Sequence, residues 1–231
     1  MATQIHATAA ELRRRILTGH YQPGERLVEL AVSAELGASR TPIRLAFEEL
    51  EREGLLERLP TRGFRVRAFS TDDIADAIDV RGVLEGMAAR RLAERVATPE
   101  TLAVLRECIE LGRALLEEAR AQDWRIDASR WVPMNARFHA TLVAAAGNRT
   151  LASALEHVAK TPLAGAAALS LHGTAPRLEF HFIQRAQQDH EDILEAVEMR
   201  ESARAEALMR EHARRSRDNK RELLTGQRSP R

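Results

Sequence analysis

Cysteine is nearly absent from this chain of 231 residues: Cys108 stands alone, so no disulfide can form within the chain and a reducing compartment fits. Aromatics are scarce, at six Phe, two Trp and one Tyr, and Gly (12) and Pro (8) are few. Collagen-like, disulfide-scaffold and large all-β architectures are thereby disfavoured. No apolar run approaches the roughly 20 residues that span a bilayer. The opening MATQIHATAAELRRRIL lacks the basic-then-apolar order of a secretory leader. The expectation is a cytoplasmic protein with no membrane partner. Signatures of catalysis are missing as well. There is no HExxH, no Walker-type or GxGxxG loop and no GxSxG elbow, and Cys108 lacks a local partner motif.

What is present is a helix-forming composition, 44% hydrophobic and 30% charged with an Ala, Leu, Arg and Glu bias, which suffices for a core. The formal net charge of +1 does not by itself announce a nucleic-acid binder. Its make-up is more telling: only Lys160 and Lys220 are lysines, against 33 arginines. Arginine is the better residue for bidentate contact with phosphates and guanine edges, although a GC-rich genome also favours its codons. Residues 1–70 hold eleven basic and nine acidic side chains, so placement matters more than sum.

The chain length allows one large domain or two smaller ones, and the texture changes near residue 70. Ile5–Thr18 read as a helix stopped by Gly19 and the Pro23-Gly24 turn, and Val28–Leu36 as a second ending at Gly37. Ser39 is the candidate N-cap of a third, running to Glu53 with Pro42 in its first turn. Leu55–Leu59 and Phe64–Phe69 follow, joined by Pro60-Thr61-Arg62-Gly63. In the second stretch Phe64, Val66 and Ala68 alternate with arginines, as in a strand. Three helices and a small β-hairpin in that order make a winged helix-turn-helix.

Ser70-Thr71-Asp72-Asp73 reads as a hinge and a new N-cap, and the rest as helix. The expected segments are 72–96, 99–122, 128–146, 150–159, 161–171, 177–199 and 202–224, with residues 226–231 a disordered tail. The fold class is therefore mainly α: a winged helix-turn-helix over residues 1–70, then an all-α bundle over 71–225. Residues 200–231 carry ten basic and five acidic side chains, read as a solvated face rather than a second DNA contact.

In the third helix Ile43, Phe47 and Leu50 fall at i, i+4 and i+7 and should face inward. Arg40 and Arg44 share another face in its first turns, where a recognition helix meets base edges in the major groove. Ser39 and Thr41 are short hydroxyl donors placed for phosphate oxygens, and Arg62 and Gly63 occupy the tip of the wing. The competing reading is that Arg44 merely pairs with Glu48. Residues 12–69 resemble the DNA-binding domain of the GntR superfamily of bacterial transcription regulators, on the stretches LRRRILTGHYQPGERLVELAVSAELGASRTPIR, EELEREGLL and RGFRV. That resemblance implies Ser39, Arg40, Arg44 and Gly63 as DNA-contact positions. The chain departs from the usual pattern at Leu45, where members carry Glu, and at Leu30.

In the helical remainder Asn135 and His139 lie four apart, on one helix face. His190 and His212 each stand eleven residues from Glu201, where two long helices turn. An antiparallel hairpin would bring them to the same level, ~16 Å down each helix. Such a nitrogen-rich set suits Zn, Ni, Fe or Cu more than Ca or Mg, yet eight histidines also produce such spacing by coincidence. His6, His20, His157, His172 and His181 read as surface or satisfied histidines.

Residues 73–217 resemble the all-helical FCD domain of the FadR-type branch of the same superfamily, on VRGVLEGMAARRLAER, NARFHATLVAAAGN and QDHEDILEAVEMRESARAEALMREH. The resemblance implies Asn135, His139, His190 and His212 as ligands of a divalent transition metal, Zn or Ni foremost. Asn135 stands where many members have Asp, and an amide brings no charge. An ion so held would attract an anionic effector, and the resemblance implies an organic or sugar acid. Arg81 is placed to clamp its carboxylate, unless it pairs with Glu85 at i+4. The function expected is a homodimeric regulator, foremost a repressor, that reads a palindromic double-stranded operator. The alternatives are a metal-responsive regulator and a metal-dependent hydrolase.

Overall fold

The computed structural model describes residues 2–17, 19–52, 54–60, 63–68, 70–95, 97–161, 164–165 and 175–226. Three helices and three short strands come first: α1 (Ala2–Leu17), β1 (Arg26–Leu27), α2 (Glu29–Leu36), α3 (Arg40–Arg52), β2 (Leu56–Arg58) and β3 (Phe64–Val66). Six more helices follow: α4 (Thr71–Glu94), α5 (Pro99–Ala121), α6 (Ala128–Ala145), α7 (Arg149–Val158), α8 (Pro176–Glu198) and α9 (Ser202–Gly226). The chain divides into two compact units, one of Met1–Asp73 with Lys160–Pro162 and one of Ile74–Ala159 with Leu163–Arg231.

In the first unit the 3.6-residue period of α3 does what its sequence dictates. Ile43, Phe47 and Leu50 are fully buried, and they pack with Leu12 of α1, Val32 of α2 and Phe64 of β3. The wing differs from the expected hairpin. Arg26 and Leu27 pair antiparallel with Arg65 and Phe64, so the sheet has three strands in the order β1-β3-β2. A two-residue strand leaves no alternation for a sequence pattern to display. At the turn Gly63 has φ +95°, and an added Cβ would stand 3.3 Å from the Leu27 carbonyl oxygen, a position that suits only glycine.

Ser70 and Asp73 cap α4 reciprocally: Asp73 N–H donates to Ser70 Oγ and Ser70 N–H to Asp73 Oδ2, each at 2.9 Å. Thr98 caps α5 ahead of Pro99, Asp127 caps α6 and Asn148 caps α7. Helix α5 runs antiparallel to α8, with Arg113 Nε on Glu191 and Arg106 Nε on Glu198, both at 2.9 Å. Helix α9 folds back along α8 after Arg200, a non-glycine residue at φ +59°. It also lies antiparallel to α4, with Asp79 opposite Arg217 and Arg90 opposite Glu206. The apolar core joins Leu92, Leu105, Leu115, Trp131, Phe138, Phe180, Ile183, Ile193 and Met209 from five of these helices. The helix expected at 161–171 falls largely outside the described residues; of those described there, Thr161, Ala164 and Gly165 are not helical. The expected tail, residues 227–231, also lies outside them, while Gly226 ends α9.

The close approach of α4 and α9 depends on Gly82, where an added Cβ would stand 2.7 Å from the Ala213 Cβ. Alanine is the better helix former by ~1 kcal/mol, but overpacking costs roughly 1–3 kcal/mol. Gly82→Ala is therefore expected to lower the urea midpoint despite its higher propensity. An unchanged or raised midpoint would mean that the two helices separate without cost.

Candidate metal centre and nucleic-acid interface

The polar residues of the second unit gather where its core should be most apolar. Helix α6 presents Asn135 and, one turn later, His139; α8 presents His190; α9 presents His212; all four are buried. The spacing about Glu201 does its work: the His190 and His212 ring centroids are 4.7 Å apart, and His139 lies 5.3 and 5.2 Å from them. One ligand nitrogen from each histidine can be chosen so that all lie within 4.8 Å of one another. Phe138 stacks on His190 at 4.3 Å and fixes the plane of its ring. Nitrogens held tetrahedrally at ~2.1 Å from zinc stand ~3.4 Å apart. A small inward rotation of the rings therefore closes the set around an ion.

The chemistry of the donors fits a cation that prefers nitrogen. Both ring nitrogens of His190 are buried and have no hydrogen-bond partner among the described residues. Burial, reinforced by His212 and His139, pushes its pKa well below the usual histidine range, so it stands as a neutral imidazole with a lone pair to give. Burial also lowers His212, against the opposing pull of Asp189. The other two histidines are held from behind by carboxylates. Glu85 Oε1 lies 3.1 Å from His139 Nδ1, and Asp189 Oδ2 lies 3.3 Å from His212 Nδ1. A carboxylate at Nδ1 favours the tautomer whose Nε2 is a free ligand, the usual arrangement behind a metal-bound histidine.

Glu85 and Asp189 are the residues that sequence reasoning missed. Glu85 had a role only as the i+4 partner of Arg81. The ion pair is present at 3.4 Å, but the same carboxylate also serves His139. Burial pushes the Glu85 carboxyl up, and the fields of His139, Arg81 and His212 outweigh it and hold the pKa at about 2. The set is thus not made only of neutral groups, since Glu85 brings a negative charge immediately behind His139. Asp189 follows no motif and is adjacent in sequence to His190, with which it makes no hydrogen bond among the described residues. It reaches His212 on the facing helix instead, and it accepts from Arg215 Nη1 at 2.5 Å and lies 3.3 Å from Arg185 Nε. Arg81 itself is buried, donates through Nη1 to the Ala164 carbonyl at 2.6 Å and turns its Nε to Glu85 Oε2 at 3.4 Å. His20, His157 and His181 lie away from the cluster; His20 pairs with Glu35 at 2.8 Å, and the other two are exposed.

In the first unit Ser39, Arg40, Thr41 and Arg44 are all exposed at the start of α3. Arg40 is 67% exposed and reaches Glu29 at 3.6 Å, whereas Arg44 makes no ion pair among the described residues. Glu48, the competing partner for Arg44, instead lies 3.9 Å from Arg58. Gly63 closes the wing turn with its carbonyl accepting from Leu59 N–H at 3.0 Å, and Arg62 lies outside the described residues.

Comparison with known proteins follows the two units. Residues 4–66 match the gntR family of bacterial regulatory proteins, and residues 76–215 match the FCD domain. An uncharacterized HTH-type transcriptional regulator of Agrobacterium vitis, from the TAR-I ttuE-ttuC' intergenic region, is 36% identical over 147 residues, 63% of this chain and 82% of that protein. YdhC of Bacillus subtilis, another uncharacterized HTH-type regulator, is 31% identical over 64% of this chain and 63% of its own length. The probable D-xylose utilization operon transcriptional repressor of Paenarthrobacter nicotinovorans is 35% identical over 59% of this chain and 56% of its own. The chain thus spans less than two thirds of the length of the last two relatives. Among solved structures, E. coli McbR/YncC superposes with a TM-score of 0.68 over 99% of this chain and 100% of that one, at 20% identity. A putative GntR regulator from Rhodococcus sp. RHA1 gives 0.61 over 96% and 98%, at 22% identity. Both show the fold. The FCD match alone covers more than half of the chain, and the protein belongs to the GntR family of bacterial regulatory proteins, whose members are DNA-binding transcriptional regulators rather than enzymes.

Proposed function

We propose that this regulator binds a palindromic operator as a homodimer in the cytoplasm. In this reading it is a repressor whose DNA affinity is set by a small carboxylate bound beside a metal ion in the helical unit. The observation that carries the reading is the buried trio His139, His190 and His212 with Arg81 one helical turn from Glu85. Asn135, His139, His190 and His212 would hold the ion, zinc or nickel by their chemistry. When bound, its open positions supply a Lewis-acidic seat for a carboxylate oxygen. The protein's own part is to orient and to exclude water. Glu85 and Asp189 set the two histidine tautomers, and Arg81 offers a guanidinium of matching geometry for the carboxylate. Coupling to DNA is reciprocal: an effector that weakens operator binding must itself bind less well to the DNA-bound form.

Arg40 and Arg44 are the base-reading side chains in this reading, with Ser39 and Thr41 on phosphates and Gly63 and Arg62 at the wing. A homodimer is supported by Val80, Val83 and Met87 of α4, which lie 46–50% and 43% exposed on one helix face. Two-fold symmetry in the protein maps onto a palindromic site. That one chain has relatives named as operon repressors supports repression over activation.

Three outcomes test these assignments. Arg40→Ala and Arg44→Ala are each expected to reduce specific operator affinity by about 1–3 kcal/mol while helicity stays unchanged; wild-type mobility-shift curves would reject the recognition helix. His190→Ala should abolish zinc uptake by the untagged protein, and Glu85→Gln should weaken it by roughly 10–100-fold. Full uptake by His190→Ala would remove the metal centre from the reading. A Val83→Glu, Met87→Glu variant is expected to sediment as a monomer, and one that remains dimeric would place the interface elsewhere.

A further inference from the structure

The small sheet of the DNA-binding unit carries arginine on its outer face. Leu27 and Phe64 are buried, so strand alternation turns their neighbours Arg26 and Arg65 to the other side, where both are exposed. The register sets Arg26 of β1 directly opposite Arg65 of β3, and Arg65 directly opposite Glu57 of β2. One row across the three strands thus reads Arg26, Arg65, Glu57, with two positive charges and one negative.

The carboxylate of this row serves its central member, with Glu57 Oε1 accepting from Arg65 Nε at 2.6 Å. Glu25, next to Arg26 in sequence, accepts Gln22 N–H at 2.7 Å. Like charges directly opposite one another weaken a sheet, and the row keeps its positive surplus at the surface. The Arg26 guanidinium leans toward the wing turn. A Cβ added at Gly63 would stand 3.7 Å from Arg26 Nε and 4.0 Å from Nη2. Arg26 precedes α2 and α3 in the chain, and only the pairing of β1 with β3 carries its charge to the wing. With no strand legible at 26–27, nothing in the sequence assigned it a role there.

We propose that Arg26 is a further DNA-contact residue, whose guanidinium binds a backbone phosphate beside the wing turn. The inference rests on the placement of the wing against the duplex given above, and adds a residue from outside the β2–β3 hairpin. A guanidinium presents a planar fork that takes two phosphate oxygens at once. The phosphate also brings a negative charge to the two opposed arginines. Such a contact fixes where the protein sits and carries no sequence information, because the phosphate is the same at every base pair.

The test is fluorescence-anisotropy titration of the full-length protein against labelled duplexes of about 30 base pairs, one A·T-rich and one G·C-rich, from about 50 to about 200 mM salt. Each phosphate contact contributes about 0.9 to the slope of log affinity against log salt. Arg26→Ala is expected to lower that slope by about 0.9 per protomer on both duplexes, so its deficit against wild type shrinks about 3.5-fold per protomer across the range. Arg26→Lys keeps the charge and should keep the slope. Helicity and the urea midpoint report folding, and Arg26→Gln takes the place of Arg26→Ala if the latter does not fold. A wild-type slope in the folded, uncharged variant overturns the contact and leaves Arg26 a structural residue of the sheet. A loss confined to the A·T-rich duplex also overturns it, in favour of minor-groove reading. Arg62→Ala, measured alongside, separates the two levels. If it lowers the slope while Arg26→Ala does not, the wing reading stands without Arg26; if neither lowers it, both fall.

Discussion

Holding three imidazoles out of water in the middle of a helical bundle constrains most of what surrounds them. A buried polar atom needs a partner, and a buried lone pair that finds none within the protein is destabilising unless something else supplies one. The helical unit meets this demand unevenly. His139 and His212 each have a carboxylate at Nδ1, whereas His190 has only the face of Phe138. One ligand nitrogen from each ring lies within 4.8 Å of the others, a set that could hold a metal ion. The long helices, the tight turn after Arg200 and the glycine contact between α4 and α9 together fix the distances among the three rings.

The same cluster shows how a net charge near zero conceals strong local fields. Arg81, Glu85, Asp189, Arg215 and Lys220 are either buried or joined to a buried partner, and each is legible only beside its neighbours. Asn135 brings no charge to the cluster, and Glu85 places a carboxylate 3.1 Å from His139 Nδ1. In the DNA-binding unit the logic is reversed. Arg40 and Arg44 are left exposed on α3, while acids elsewhere in the unit pair with other arginines, as Glu51 does with Arg58 and Glu57 with Arg65.

Much of this was legible in advance, for identifiable reasons. The apolar face of α3, the Ser70–Asp73 cap and the equal distances of His190 and His212 from Glu201 are local or periodic features, and helical geometry propagates them without reference to other elements. Strand β1 was not legible, because two residues carry no period. Glu85 had a sufficient local explanation in Arg81, which hid its second role. Asp189 stands beside His190 in sequence, but its histidine partner, His212, is on the facing helix. Lys220 carried a compositional signal, rarity, but nothing that said it was buried.

The amino-acid sequence by itself determined the helical organisation, the apolar face of α3 and which histidines come together, because these follow from repeat, capping and spacing along a single chain. The tertiary structure alone decided which charges meet. Glu85 with His139 and Asp189 with His212 join residues on different helices. Their interaction depends on interhelical distance and on the exclusion of water, and neither quantity is written in the order of residues along the chain.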